Sequence, residues 1–419
     1  MITFSAMNRF ATIFLILLFL STATELWLAA RHLRYVGNRR RAVPQPFRGK
    51  VPLKAHRKAA DYTVTRTRFG MFEALNGTIM LVLWTVCGGL GWLDNLWHAT
   101  GWSELAYGTA FAISVFMIGA VLELPFTAYR TFNIESRFGF NRTTVATFII
   151  DLLRKLLLML VIGTPIIVAA LWLMETTGQA WWIYVWLMWV VLSLLTVWAY
   201  PIWIAPLFNR FTPLSSAPLR RRLQALLRRT GFRSRGIYVI DSSRRTTHGN
   251  AYFTGLGRAK RIVFFDSLLK TLNEREIEAV LAHELGHFKL AHVVKRMALT
   301  FLLALAALAL LGWLTTQPWF YQGLGIGRPS AHTALILFIM VSPVFTFFLQ
   351  PLFAWGSRRH EYEADGFAAK TTSAKALVSA LVKLYRDNAS TLTPDPMHSA
   401  FYDSHPPALR RIARLSLKP

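Results

Sequence analysis

Apolar residues gather into seven runs long enough to cross a bilayer, at about 10–30, 79–96, 106–129, 156–174, 182–206, 298–316 and 334–355. The second is the weakest, interrupted by Gly88, Gly89 and Gly91. The first has a passable cleavage site at Ser21-Thr22-Ala23, but its apolar run is long and the strongest positive charge follows it. It therefore reads as a retained first span, not a signal peptide. Lys and Arg alternate from loop to loop. They crowd 31–68, with Arg39, Arg40, Arg41, Lys54, Arg57 and Lys58, vanish from 94–104, return as Arg130, Arg137 and Arg142, and vanish again from 175–180. The positive-inside rule then puts the amino terminus outside and the carboxy terminus in the cytoplasm, with both large polar regions, 209–296 and 356–419.

The expected organisation is predominantly α-helical and integral to a membrane. Residues 1–208 carry five spans, 209–297 a cytoplasmic insert, 298–355 spans six and seven, and 356–419 a C-terminal segment. Composition agrees: 54% of the 419 residues are hydrophobic, with 15 Trp and 30 Phe. A formal charge of +26 could suggest nucleic acid, yet the cations follow the loop topology and make no aromatic-basic surface. A nucleic-acid partner is excluded on that ground. The single cysteine, Cys87, allows no intrachain disulfide and rules out a cysteine-based zinc site.

The insert opens with a basic amphipathic helix at 214–229, followed by strand candidates at 236–240 and 261–265. Residues 254–257 read as a turn between Asn250-Ala251-Tyr252-Phe253 and the second strand; the glycine pair there is too short for a nucleotide fingerprint. A helix over 273–294 follows, capped by Asn273 with Glu276 completing a capping box. It carries His283-Glu284-Leu285-Gly286-His287, an H-E-x-x-H motif. Two histidines four apart share a helix face and can hold one zinc ion, with Glu284 placed to take a proton from the metal-bound water. The site of a third histidine ten residues after the first is Val293; His292 falls one position early and off the ligand face, as a supporting or solvent histidine.

Two histidines leave zinc short of a protein ligand. After the seventh run, Glu361 and Asp365 share a face of a helix leaving the membrane, so that one could coordinate and the other bond a ligand histidine. Glu363 points elsewhere and His360 is a lesser rival; a solvated juxtamembrane helix is the plain alternative. In the tail, Pro406 and Pro407 end one helix and can start another, with His405 near its N-terminus. A histidine and an arginine there could stabilise an oxyanion, but on residues alone the tail reads as an exposed helix kept soluble by its arginines.

Assembled, these residues resemble the type I CAAX prenyl endopeptidases, integral-membrane zinc metalloproteases of the gluzincin kind. The likeness covers most of the chain beyond the third run. It rests on Phe132-Asn133-Ile134-Glu135, Phe138-Gly139-Phe140-Asn141, the run 206–214, Asn250-Ala251-Tyr252, the run 260–266, the H-E-L-G-H segment, 361–365 and His405-Pro406-Pro407. The resemblance implies seven helices around a water-filled intramembrane chamber, which would accommodate Glu123 and Asn76 near apolar runs. It implies one zinc per chain held by His283, His287 and Glu361, with Asp365 in support and Glu284 as catalytic base. It further implies His405 and Arg411 at the scissile carbonyl, and Asn250, Ala251 and Tyr252 as an edge strand pairing with substrate backbone.

The activity so expected is endoproteolysis of peptide or protein substrates that are lipidated or membrane-associated. It would serve CAAX processing or membrane-protein quality control. No extended eukaryotic sorting signal is evident, so the expected setting is a bacterial inner membrane with the site facing the cytoplasm. The alternative is a transporter or channel with a structural or vestigial metal site, against which the intact Glu284 argues.

Overall fold

The structure is a computed structural model describing residues 8–232, 234, 236–254 and 261–416. Among these, six helices are long and apolar enough to cross a membrane, and a seventh span exists if one bent pair counts as a single crossing. That pair is Leu53–Trp84 and Gly89–His98, bent by 50° at the glycine-rich break visible in the sequence. The other spans are Arg9–Arg39, Glu104–Glu135, Val145–Thr176, Gly178–Phe208, His292–Leu314 and Ala331–Thr371. Only 11% to 28% of their most apolar windows is buried by protein, too little for core helices of a soluble domain. They expose their apolar faces as spans do.

Helices reach further than the apolar runs. The first continues to Arg39 through Ser21-Thr22-Ala23, and the second begins at Leu53, so the stretch expected as a long basic loop shrinks to 40–52. Ala, Leu and Arg are good helix formers, and water rather than lipid ends the hydropathy signal there. The seventh span likewise runs on through a short tightened turn at Phe347–Leu349 into Gln350–Thr371. Glu361 and Asp365 therefore ride on the extension of a membrane helix.

The insert folds as a four-stranded sheet against helices. Strands β1 (Phe211–Pro213), β2 (Gly236–Ile240), β3 (Ala251–Thr254) and β4 (Arg261–Phe265) take the order β1-β2-β4-β3. β2 and β4 are parallel and the outer pairings antiparallel, leaving β3 on an edge. The turn expected at 254–257 lies, past Thr254, outside the described residues, as does Lys260. The basic helix starts at Ala217, three residues later than the pattern suggested, because Ser216 caps it. Its Leu219, Leu223, Leu226 and Leu227 bury against Ile262 and Phe264 of the sheet and Ile277, Leu281 and Leu285 of the H-E-x-x-H helix. Two helices of the C-terminal segment, Ala374–Asp387 and Ala408–Ser416, add Leu377, Leu381 and Leu415 to the same core. The tail is thus no solvated appendage: Arg411 and Ile412 are buried. A helix that faces a core on one side carries enough arginine on the other to look exposed throughout.

Candidate metal centre

The H-E-x-x-H helix spans Glu274–Lys289. Asn273 accepts from the Glu276 amide at 3.0 Å, and the Glu276 carboxylate accepts from the Asn273 amide at 2.8 Å. Glu276 also accepts from Ser379 and Lys383, both at 2.7 Å, so the cap is tied to the C-terminal segment. Three residues after His283, Gly286 lets this helix press against Gln350–Thr371. A Cβ at Gly286 would lie 2.9 Å from the Ala364 Cα, a distance real contacts do not reach. Ala364 and Ala368, fully buried, keep the facing side equally low. Small residues at the crossing are what bring the two histidines within reach of Glu361.

That closure is tight. His283 Nε2 lies 3.4 Å from Glu361 Oε2, His287 Nε2 3.2 Å from Glu361 Oε1, and the two Nε2 atoms 3.3 Å apart. One ligand atom from each of these residues falls within 4.8 Å of the others. Glu361 Oε2 is buried and makes no well-aligned hydrogen bond, although His405 Nδ1 at 2.8 Å and His283 Nε2 at 3.4 Å crowd it. Two imidazole nitrogens and a carboxylate oxygen, converging on one point with no well-aligned hydrogen bond to one of the carboxylate oxygens, fit a zinc-type ion.

Around this core each expected residue has a definite place. Asp365 Oδ1 approaches His283 Nδ1 to 2.9 Å, off the line of an ideal hydrogen bond. Burial lowers the affinity of His283 for a proton, but Asp365 and Glu361 outweigh it and push the imidazole up to about 9. Asp365 is in turn gripped by Arg411, whose Nε and Nη2 donate at 2.8 and 2.6 Å. Only Nη1 of Arg411, 3.7 Å from Glu361 Oε2, is left to face the site. His405 is mostly exposed and brings Nδ1 to 2.8 Å from Glu361 Oε2. Glu284 is half-buried, and its loss of solvent pushes its carboxyl up from the ordinary range.

Ala251 and Tyr252 lie on β3, which packs against the H-E-x-x-H helix. Asn250 leads into β3, its carbonyl accepting from the Phe265 amide at 2.9 Å. Two contacts that support this strand join segments far apart in the sequence. Asn388 pairs with Gly249 like a strand partner, accepting from its amide at 2.9 Å and donating to its carbonyl at 3.2 Å. His248 stacks on Phe140 at 4.6 Å, and Tyr62 donates to Glu135 at 2.5 Å. The 132–141 motif therefore braces the approach to β3 from the membrane side. His360 lies outside the metal point; it stacks on His292, which contacts His287 and Glu363.

Residues 32–210 match the family described as CAAX prenyl protease N-terminal, five membrane helices, and residues 213–418 match peptidase family M48. The chain is 33% identical over 386 residues to a CAAX prenyl protease 1 homolog of Arabidopsis thaliana, covering 88% of this chain and 89% of that one. To the CAAX prenyl protease 1 homolog of Homo sapiens it is 30% identical over 411 residues, 85% of each chain. The crystal structure of S. mikatae Ste24p superposes with a TM-score of 0.91 at 27% identity, covering 97% of this chain and 99% of that one.

Proposed function

The chain belongs to peptidase family M48, in its CAAX prenyl protease branch, and from that membership we propose that it is a zinc endopeptidase that cuts lipidated C-terminal tails at the cytoplasmic face of a membrane. The observation that carries the reading is the convergence of His283, His287 and Glu361 beside a half-buried Glu284. Those three residues would hold the metal. Zinc, when bound, supplies Lewis acidity and lowers the pKa of its water toward neutrality.

The rest is done by the chain's own groups. Glu284 takes a proton from the attacking water and returns it to the leaving amine; a carboxyl raised by burial suits a base that must also act as an acid. His405, exposed beside the metal point, and the free Nη1 of Arg411 donate to the oxyanion that develops on the scissile carbonyl. Asp365 holds His283, and Arg411 holds Asp365. Substrate adds as an extended strand at Ala251 and Tyr252, whose strand lies, among the described residues, at the edge of the sheet, so its backbone is fixed without regard to side chain. The working division puts membrane crossing in 1–208 and 298–355, and chemistry in 209–297 and 356–419.

A prenylated C-a-a-X tail is the proposed substrate, by analogy with the relatives' names. Membrane-protein quality control is the wider form of the same activity. The cytoplasmic orientation is supported by the distribution of Lys and Arg; a bacterial inner membrane rests on the sequence alone, and the relatives named are eukaryotic.

Glu284→Gln tests the proposal. In detergent it should retain one zinc per chain while cleavage of a prenylated peptide falls about 10²–10⁴-fold. Undiminished cleavage would refute the assignment. Peptides trapped by that variant, and a prenylated peptide run beside its unprenylated twin, identify the substrate class.

A further inference from the structure

The H-E-x-x-H helix stops at Lys289, and the sixth span begins at His292. Between them Ala291 takes φ 55°, a left-handed conformation unusual for a residue with a Cβ. On an unbroken helix a residue five positions after His287 would sit about 140° away around the axis. The reversal at Ala291 instead folds His292 back onto His287. His287 Nδ1 and His292 Nδ1 are 3.1 Å apart, and His292 Nε2 is 3.0 Å from Glu363 Oε2. His292 is completely buried, its ring parallel to that of His360 at 4.1 Å, while Arg359 holds the other oxygen of Glu363 at 3.1 Å.

Matching donors to acceptors leaves one arrangement. The Glu363 carboxylate only accepts, so His292 Nε2 carries a hydrogen. His292 Nδ1 is then bare in the neutral ring and accepts from His287 Nδ1–H. His287 Nε2 is left with its lone pair free, on the side facing Glu361 and His283 Nε2. We propose that His292 and Glu363 form a positioning relay that fixes the ring and tautomer of the metal ligand His287.

The proposal rests on His287 being a ligand. It gives each carboxylate of one helix a separate role. Glu361 faces the metal point, Asp365 supports His283 directly, and Glu363 supports His287 through an inserted imidazole. Glu363 lies on the opposite side of the helix from the other two, where the start of the sixth span passes. An imidazole bridges that extra distance.

The test measures zinc affinity of the full chain in detergent, by competition with a chelating dye, and the visible spectrum of the cobalt-loaded protein. His292→Ala should bind zinc about 10–100-fold more weakly and shift the cobalt bands. His292→Asn, whose amide oxygen takes the place of Nδ1, should recover most of the affinity. Glu363→Ala, at a half-exposed site where folding tolerates the change, should weaken zinc about 10-fold. Parent-like zinc affinity in both His292→Ala and Glu363→Ala overturns the relay, as does a His292→Asn variant no better than His292→Ala. The underlying ligand assignment fails separately, if His287→Ala binds zinc as the parent does.

Discussion

Two buried histidine–carboxylate pairs sit near opposite ends of one helical rod, roughly 50 Å apart at 1.5 Å per residue. At one end, His332 Nε2 lies 2.8 Å from Asp94, and both residues are almost fully buried. At the other, Asp365 supports His283. The partners are chemically the same, yet the surroundings differ. Ser330 also reaches His332 Nε2 at 3.0 Å, Tyr107 and Phe111 stand edge-on to its ring, and Gly108 packs beneath it. Among the described residues no further metal-binding group converges there. His332 ties the broken second span to the start of the seventh, which is a structural role. Around His283, a second imidazole and a carboxylate oxygen with no well-aligned hydrogen bond converge on the same point. A histidine–carboxylate pair is therefore no sign of a metal site; convergence of several groups left incomplete is.

The sharpest way to break the comparison is to damage one pair at a time. Asp365→Asn keeps the shape but removes the charge that holds His283 and answers the buried Arg411. Zinc affinity should fall about 10–100-fold and cleavage with it, read by dye competition and peptide hydrolysis. His332→Ala should leave zinc affinity and cleavage unchanged while stranding Asp94, costing about 1–3 kcal/mol of stability, seen as a lower Tm in detergent. If it weakened zinc instead, the two ends would be coupled and the pairs would not differ in role. Gly108→Ala places a Cβ 2.7 Å from His332 Nδ1 and should cost the lower end of about 1–3 kcal/mol, again without loss of zinc.

Which features were legible follows from how far apart the interacting residues lie. The capping box at Asn273 and strands β2 and β4 are local patterns, and the structure has them at the expected residues; the membrane runs are local too, though their helices reach beyond them and the second is bent. β1 escapes notice because it is three residues ending in Pro213, too short for an alternation. The residues of the metal point are readable as a set only through the family resemblance; from spacing alone Glu361 and Asp365 are interchangeable. Contacts between distant segments leave no local trace. Asp94 and His332 are 238 residues apart, and Asn388 reaches Gly249 across 139. The His287–His292 contact is close in sequence but breaks helical spacing, so only the left-handed turn at Ala291 reveals it.

The placement of Glu361 on the outgrowth of the seventh span has a consequence for biosynthesis. His283 and His287 leave the ribosome first, and two bilayer crossings must be threaded before Glu361, the third group of the cluster, emerges. Arg411, which locks Asp365, arrives within the last residues of the described chain. On the proposed ligand set, a half-made protein could not cut its neighbours, because the cutting edge would be assembled only once insertion is finished and the tail has docked.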